Sequence, residues 1–315
     1  MPRIFIDGDS GTTGLEIRER LADRRDLEIV SIARELRKDV EAKRDLLAGV
    51  EIAILCLPDD AARETVRLCD GLGARAPRLL DASTAHRIAP GWVYGFAELG
   101  EGQAERIADA ARVANPGCYA TGAIALLRPL VDAGLVVAGM AVTINAVSGY
   151  SGGGRQMIEA YEARRAPPFE LYALGFEHKH LPEIATYARL SSPPLFVPSV
   201  GDFRQGMLVS IPLHLDTLPA RPKAADLEAV LARHYAGAIH VRVAPAPSEA
   251  RLDATALNGT DDMELYVFAN EAKRHAVLVA RLDNLGKGAS GAAVQNLQLM
   301  LGLETTPPSD RHDRA

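Results

Sequence analysis

The chain has 315 residues, 48% of them hydrophobic and 24% charged, with a formal net charge of −6. This length suits two domains and a core that needs no cross-links, and the composition is that of a soluble globular protein. The acidic balance argues against non-specific binding of nucleic acid, while leaving room for a local basic pocket that holds a small anion.

Arg3 to Asp7 (RIFID) is a β-prone run that stops at Gly8, with no charged-then-apolar signal segment ahead of it. Thr12 to Arg24 has helical composition, and Leu27 to Ala33 predicts a second strand. A short polar helix is expected over Asp39 to Leu47. Glu51 to Leu57 (EIAILCL) reads as a strand buried on both faces. A helix over Asp59 to Leu72 and a strand over Arg78 to Asp81 complete a β-α-β-α alternation. The fold class expected is α/β, with a Rossmann-type doubly wound parallel sheet. Tyr119 to Gly134 predicts a strongly apolar helix that stops at its glycine. Strands are expected at Met140 to Val147, Leu195 to Pro198, Met207 to Leu215, His240 to Val243, Met263 to Ala269 and His275 to Arg281. They suggest a mixed or antiparallel sheet in a second, α+β domain. Gly288 to Leu301 predicts a last helix, and the polar tail from Thr305 reads as loose.

Gly8-Asp9-Ser10-Gly11-Thr12-Thr13-Gly14 sits between the first strand and the first helix. Such glycines let the backbone turn tightly and approach a pyrophosphate at a helix N-terminus. The spacing differs from Gly-x-Gly-x-x-Gly, so a plain βα turn is the alternative, and the strand–loop–helix setting favours a dinucleotide. Ser31 to Arg34, past the second strand, offers no acid for a ribose 2′-hydroxyl and an arginine for a 2′-phosphate. This favours NADP(H) over NAD(H) unless Arg34 is a plain surface charge.

Cys56, Cys69 and Cys118 form an odd, sparse set with neither a disulfide framework nor zinc spacing, and no metal is expected. The reducing cytoplasm is the expected compartment, and no apolar run reaches the roughly 18 residues of a membrane span. Cys118 follows Asn115-Pro116-Gly117 at the start of the long apolar helix. Partial positive charge and free N–H groups there favour a thiolate nucleophile and an oxyanion over a buried structural thiol. His178 and His180, in Glu177 to Glu183 (EHKHLPE), suit general acid/base work or structural roles in equal measure. Ser148 to Arg155 (SGYSGGGR) reads as an anion cradle or a flexible turn. Asn284 to Gly291 (NLGKGASG) is a further glycine-rich helix start carrying a lysine.

In the order NPGCYAT, SGGGR, HKHLPEI and DNLGKGASGAAVQN, these segments resemble the N-acetyl-gamma-glutamyl-phosphate reductase family in its shorter form, over nearly the whole chain. The resemblance implies a Rossmann domain (1–117 plus 287–315) and a catalytic and oligomerisation domain (118–286). It implies reduction of N-acetyl-L-glutamyl 5-phosphate to the 5-semialdehyde with NADPH, in arginine biosynthesis, by a homodimer or homotetramer. Cys118 would be the nucleophile and His180 the acid/base, with His178 close behind. The dinucleotide would lie on Gly8, Ser10, Gly11, Thr12, Thr13, Gly14, Arg34, Ser83, Gly286, Lys287 and Gly288. The substrate would lie on Asn115, Ser148, Arg155 and Glu183. Gly153 departs from the family's more frequent alanine, and the short stretch between Asp81 and Asn115 weakens transfer of roles to residues such as Arg87. The alternatives are an aspartate-semialdehyde dehydrogenase, an amino-adipyl-phosphate reductase, a non-catalytic dinucleotide sensor and, ranked last, a thiol redox sensor.

Overall fold

A computed structural model describes residues 1–37 and 39–303, apart from the side chain of Arg34. The chain divides into two compact units. Of the described residues, the first comprises Met1–Ala97, Gly102–Pro116 and 289–303; the second comprises Glu98–Glu101 and Gly117–Gly288.

In the first unit, β1 (Arg3–Asp7), α1 (Thr12–Leu21), β2 (Glu28–Val30), α2 (Val40–Leu47), β3 (Ile52–Leu55), α3 (Asp59–Asp70) and β4 (Arg78–Asp81) alternate as the sequence predicts. β5 (Val93–Tyr94), α4 (Gln103–Asp109) and β6 (Arg112–Ala114) follow. The six strands are all parallel, in the order β2-β1-β3-β4-β6-β5. Period-2 alternation sends Ile4, Ile6, Ile52, Ile54 and Leu80 to one face, under α1, α4 and the last helix of the chain, Gly291–Met300. Phe5, Ala53, Leu55 and Leu79 go to the other, under α2 and α3. Helices on both faces make the sheet doubly wound. The chain reverses direction across the sheet between β1 and β3, and such a switch point opens a crevice at the carboxyl ends of the strands.

The second unit starts with α5 (Cys118–Asp132), β7 (Thr143–Gly149), α6 (Gly154–Glu162), β8 (Phe169–Leu171) and α7 (Leu181–Tyr187). It continues with β9 (Leu195–Gly201), β10 (Met207–His214), α8 (Ala224–His234), β11 (Val241–Val243), β12 (Met263–Asn270) and β13 (His275–Leu282). Its sheet runs β11-β12-β13-β10-β7-β9-β8 and is mixed: β7–β9 and β11–β12 pair parallel, the other neighbours antiparallel. α5 packs so closely on this sheet that a Cβ at Gly122 would lie 2.9 Å from a Val209 methyl. The expected stop at Gly134 is present, in the left-handed region at φ +71°.

Candidate active site

Cys118 is the first residue of α5, after an N-cap at Gly117 that offers no side-chain hydrogen bond. The first turn of α5 contains no acid. The partial positive charge of the helix start is therefore uncancelled from within α5, at the position where a thiolate gains most from it. The thiol is partly exposed. The neighbouring phenols are held neutral. Burial pushes Tyr119 far above its ordinary value, and the charges of Tyr172 and Cys118 add to the effect. Burial raises Tyr172 in the same way. The Tyr119 hydroxyl donates to the Ser199 carbonyl at 2.9 Å and accepts from Tyr172 at 3.1 Å.

α7 brings the histidines to α5. Glu183, in its first turn, accepts a hydrogen bond from Gly117 N–H at 3.1 Å, directly before the thiol residue. The other carboxylate oxygen of Glu183 lies 4.0 Å from His180 Nε2. The backbone N–H of His180 donates to His178 Nδ1 at 3.1 Å, so neutral His178 carries its proton on Nε2. The His178 ring makes edge contacts with Tyr119, His180 and Phe196. Glu183, expected at the substrate, is held by protein groups in this structure. At 1% exposed, it joins the helix start to the histidine from behind.

Ser148 is also buried, and its hydroxyl donates to the Gly149 carbonyl at 3.0 Å. Arg155 lies exposed in the first turn of α6. Gly286 and Gly288 are required by close approach: a Cβ at Gly286 would sit 1.9 Å from the Thr260 carbonyl, and one at Gly288 would sit 2.9 Å from Cys118 Cβ. Lys287, expected at the dinucleotide, is instead buried, with its ammonium on both Glu98 oxygens at 2.8 and 2.7 Å.

In the first unit, the loop after β1 is shaped by its glycines. Gly8 has φ +91°, and a Cβ at Gly14 would lie 2.3 Å from the Gly8 carbonyl oxygen. Gly11 caps α1 without a side chain, and the first turn, with Thr12 and Thr13, holds no acid. A cavity of about 200 Å³ beside the loop is lined by Gly8, Asp9, Ser10, Ile32, Arg37 and Lys43 among others. Asp7 lines it too and pairs with Lys43 at 2.5 Å, so what suits the phosphates of a dinucleotide here is the glycine loop and the start of α1. Asp9 pairs there with Arg18 and Arg37, so two cations share one acid. The Arg34 side chain lies outside the described residues.

Two further expected contacts are occupied otherwise. The Ser83 hydroxyl donates to Asp81 at 2.8 Å and accepts from Ala85 N–H at 3.1 Å. The Asn115 amide donates to the Ala289 carbonyl and accepts from Asn296, each at 3.0 Å, so it ties the chain down three residues before Cys118. Sequence reasoning passed over His86, whose Nδ1 lies 2.6 Å from the buried Asp81 carboxylate and whose ring stacks on Trp92 at 4.3 Å. The signal was available in the Asp-Ala-Ser-Thr-Ala-His run that ends β4.

Residues 118–284 match the family model of the semialdehyde dehydrogenase dimerisation domain. The chain is 54% identical over 309 residues to the N-acetyl-gamma-glutamyl-phosphate reductase of Brucella ovis, covering 96% of this chain and 99% of that one. It belongs to the N-acetyl-gamma-glutamyl-phosphate reductase family. N-acetyl-gamma-glutamyl-phosphate reductase 2 of a Nostoc species is 53% identical over 316 residues, 96% of this chain and 97% of that one. Among solved structures, aspartate semialdehyde dehydrogenase II of Vibrio cholerae, complexed with ASA, superposes with TM-score 0.71 at 15% identity, over 96% of this chain and 98% of that one. The aspartate semialdehyde dehydrogenase of Candida albicans, solved with NADP, gives 0.65 at 13%, with the same two coverages. At these identities the two structures share the fold.

Proposed function

We propose that the chain reduces N-acetyl-L-glutamyl 5-phosphate to N-acetyl-L-glutamate 5-semialdehyde, as a step of arginine biosynthesis, through a thioester on Cys118. The observation that carries this is the Cys118 thiol at the start of α5, joined through Gly117 and Glu183 to His180.

The Cys118 thiolate attacks the acyl carbon, a C–S bond forms, and the carbon–oxygen bond to phosphate breaks. First-turn N–H groups of α5 stabilise the oxyanion of that attack. Held on the loop Gly8 to Gly14, NADPH would supply the hydride needed at the thioester carbon. His180 provides the proton that the aldehyde's thiohemiacetal precursor needs and takes it back as the C–S bond breaks, regenerating the thiolate. His178 fixes the His180 backbone and Glu183 steadies the imidazolium. Arg155 is placed to receive a substrate anion. The cofactor reading rests on the loop Gly8 to Gly14 at the acid-free start of α1, and on the lack of an acid over residues 31–33.

Among the described residues no helix is long and apolar enough to cross a membrane, and the cytoplasm is the proposed compartment. The working form is proposed to be a homo-oligomer.

The test runs the reaction backwards with purified protein: phosphate-dependent NADP⁺ reduction with N-acetylglutamate semialdehyde against aspartate semialdehyde. Activity with the acetylated aldehyde alone, lost in Cys118→Ser, is expected. Preference for aspartate semialdehyde would move the substrate to the neighbouring enzyme class, and activity surviving the substitution would remove Cys118 as nucleophile.

A further inference from the structure

We infer that the buried Glu98–Lys287 ion pair positions the Cys118 thiol, with Lys287 serving the nucleophile and not the dinucleotide; this rests on Cys118 being the nucleophile. Lys287 is 1% exposed, and its ammonium sits between both oxygens of Glu98. An ammonium so enclosed cannot reach a phosphate. His234 Nε2 lies 3.3 Å from the Glu98 carbonyl, and burial lowers the pKa of His234, so this neighbour favours its neutral form.

A buried ion pair is a poor way to gain stability. Desolvation offsets most of the attraction, and apolar replacements of similar volume are often no worse. What the pair does here is local. The residue after Lys287 is Gly288, whose absent Cβ would lie 2.9 Å from Cys118 Cβ and 3.4 Å from Cys118 Cα. The backbone at 288 is therefore the wall against which the thiol residue rests.

That wall belongs to a π-helical turn beginning at Gly286, a wide conformation that needs outside support and recurs at functional sites. Three ties supply the support. The carboxylate of Asp283, fully buried, accepts from Leu285 N–H, Gln205 Nε2 and Gly259 N–H. Gly288 N–H donates to the Asp283 carbonyl at 3.0 Å. The third tie is Lys287, the only one of the three that reaches back 189 residues along the chain. A thiolate gains from a helix start only when it is aimed at the first-turn N–H groups. A wall at 288 held in register fixes that aim.

The experiment compares full-length wild type with Glu98→Gln/Lys287→Met, which leaves no buried charge alone, and with Gly288→Ala, which presses on Cys118 while keeping the pair. Two quantities are read on protein whose circular dichroism is unchanged: the pH profile of Cys118 alkylation by iodoacetamide, and NADPH affinity by fluorescence titration. Expected in the double variant is alkylation slowed about tenfold at pH 7, with its midpoint moved upward and NADPH affinity within about twofold of wild type. Gly288→Ala is expected to slow alkylation too, and Glu98→Asp, which keeps both charges and moves the ammonium, decides should the double variant fail to fold. An unchanged alkylation profile overturns the proposal. If it comes with weakened NADPH binding in the double variant, Lys287 belongs to the dinucleotide. Alkylation needs no acyl substrate, so its outcome stays separate from the failure of the proposed reaction.

Discussion

The three thiols of this chain differ by environment. Burial, with the charges of Asp81, Asp7 and Asp9 behind it, pushes Cys56 up to about 12. Burial, with Asp70, raises Cys69 to about 11. A raised thiol pKa means protonation until the pH climbs near it, so at pH 8 these residues are thiolate in roughly one molecule in a thousand or fewer. Brief treatment with iodoacetamide at pH 8 is expected to label Cys118 alone, read by peptide mass; comparable labelling of Cys69 would contradict this ordering. Glu183 allows a second prediction. Glu183→Ala leaves the Gly117 N–H buried without its acceptor, a cost of about 1–3 kcal/mol, whereas Glu183→Gln keeps an acceptor and loses the charge beside His180. Thermal unfolding should fall clearly for the alanine variant and little for the glutamine one, while both lose turnover. Equal Tm losses would mean that the bond to Gly117 contributes nothing. These residues also show how far the sequence could be read. Cys118 and the histidines stand out because their chemistry is in the residue type. Glu183 and Lys287 were expected at ligands because charged groups in a motif invite that reading. What the structure adds is burial and a protein partner, and for Lys287 that partner lies 189 positions away.

Among the elements, those with long apolar runs were legible. β1 and β4 coincide with the expected bounds, and Asp39 turns out to cap α2, accepting from the N–H groups of Glu41 and Ala42. β5 has two residues and β6 three, too short for a period-2 signal, so the stretch between Asp81 and Asn115 yielded no elements in advance. α7 and α8 were likewise passed over, α7 because only Leu181, Glu183 and Ile184 of its seven residues are buried. The glycine loop after β1 was legible as a turn, but the reason for each glycine is spatial. A Cβ at Gly14 would lie 2.3 Å from the Gly8 oxygen, a backbone atom that cannot swing aside. Gly14→Ala is therefore expected to displace the start of α1 and weaken NADPH binding at least tenfold, about 1.4 kcal/mol, with the rate of Cys118 alkylation unchanged. Affinity equal to wild type in a fluorescence titration would show that the phosphates lie elsewhere.

At the scale of the whole molecule, the second sheet has one face that its own helices do not explain. Ala276, Leu278, Ala280 and Leu282 of β13 are buried on the side where α5 packs. Their alternates Val277 and Val279 line a groove of about 690 Å³, together with Phe169, Leu171, Leu208 and Phe268. Phe169 and Leu171 are half exposed, at 55% and 50%. The strands of this sheet were legible one by one, yet alternation within a strand says which residues share a face, not what covers that face. An apolar patch of this kind marks an interaction surface. The matched domain is by description a dimerisation domain, so the proposed occupant is the same face of a second copy, as two-fold symmetry would place it. Val277 pairs with Phe268 on one side and Pro212 on the other, in the middle of the open face. Val277→Asp is expected to place an unpaired carboxylate in the interface, at a cost of several kcal/mol per site. Light scattering should then report a multiple of the chain mass for wild type and the single-chain mass for the variant at micromolar concentration, with unchanged circular dichroism. A variant that keeps the wild-type mass would show that this face is not where the copies meet.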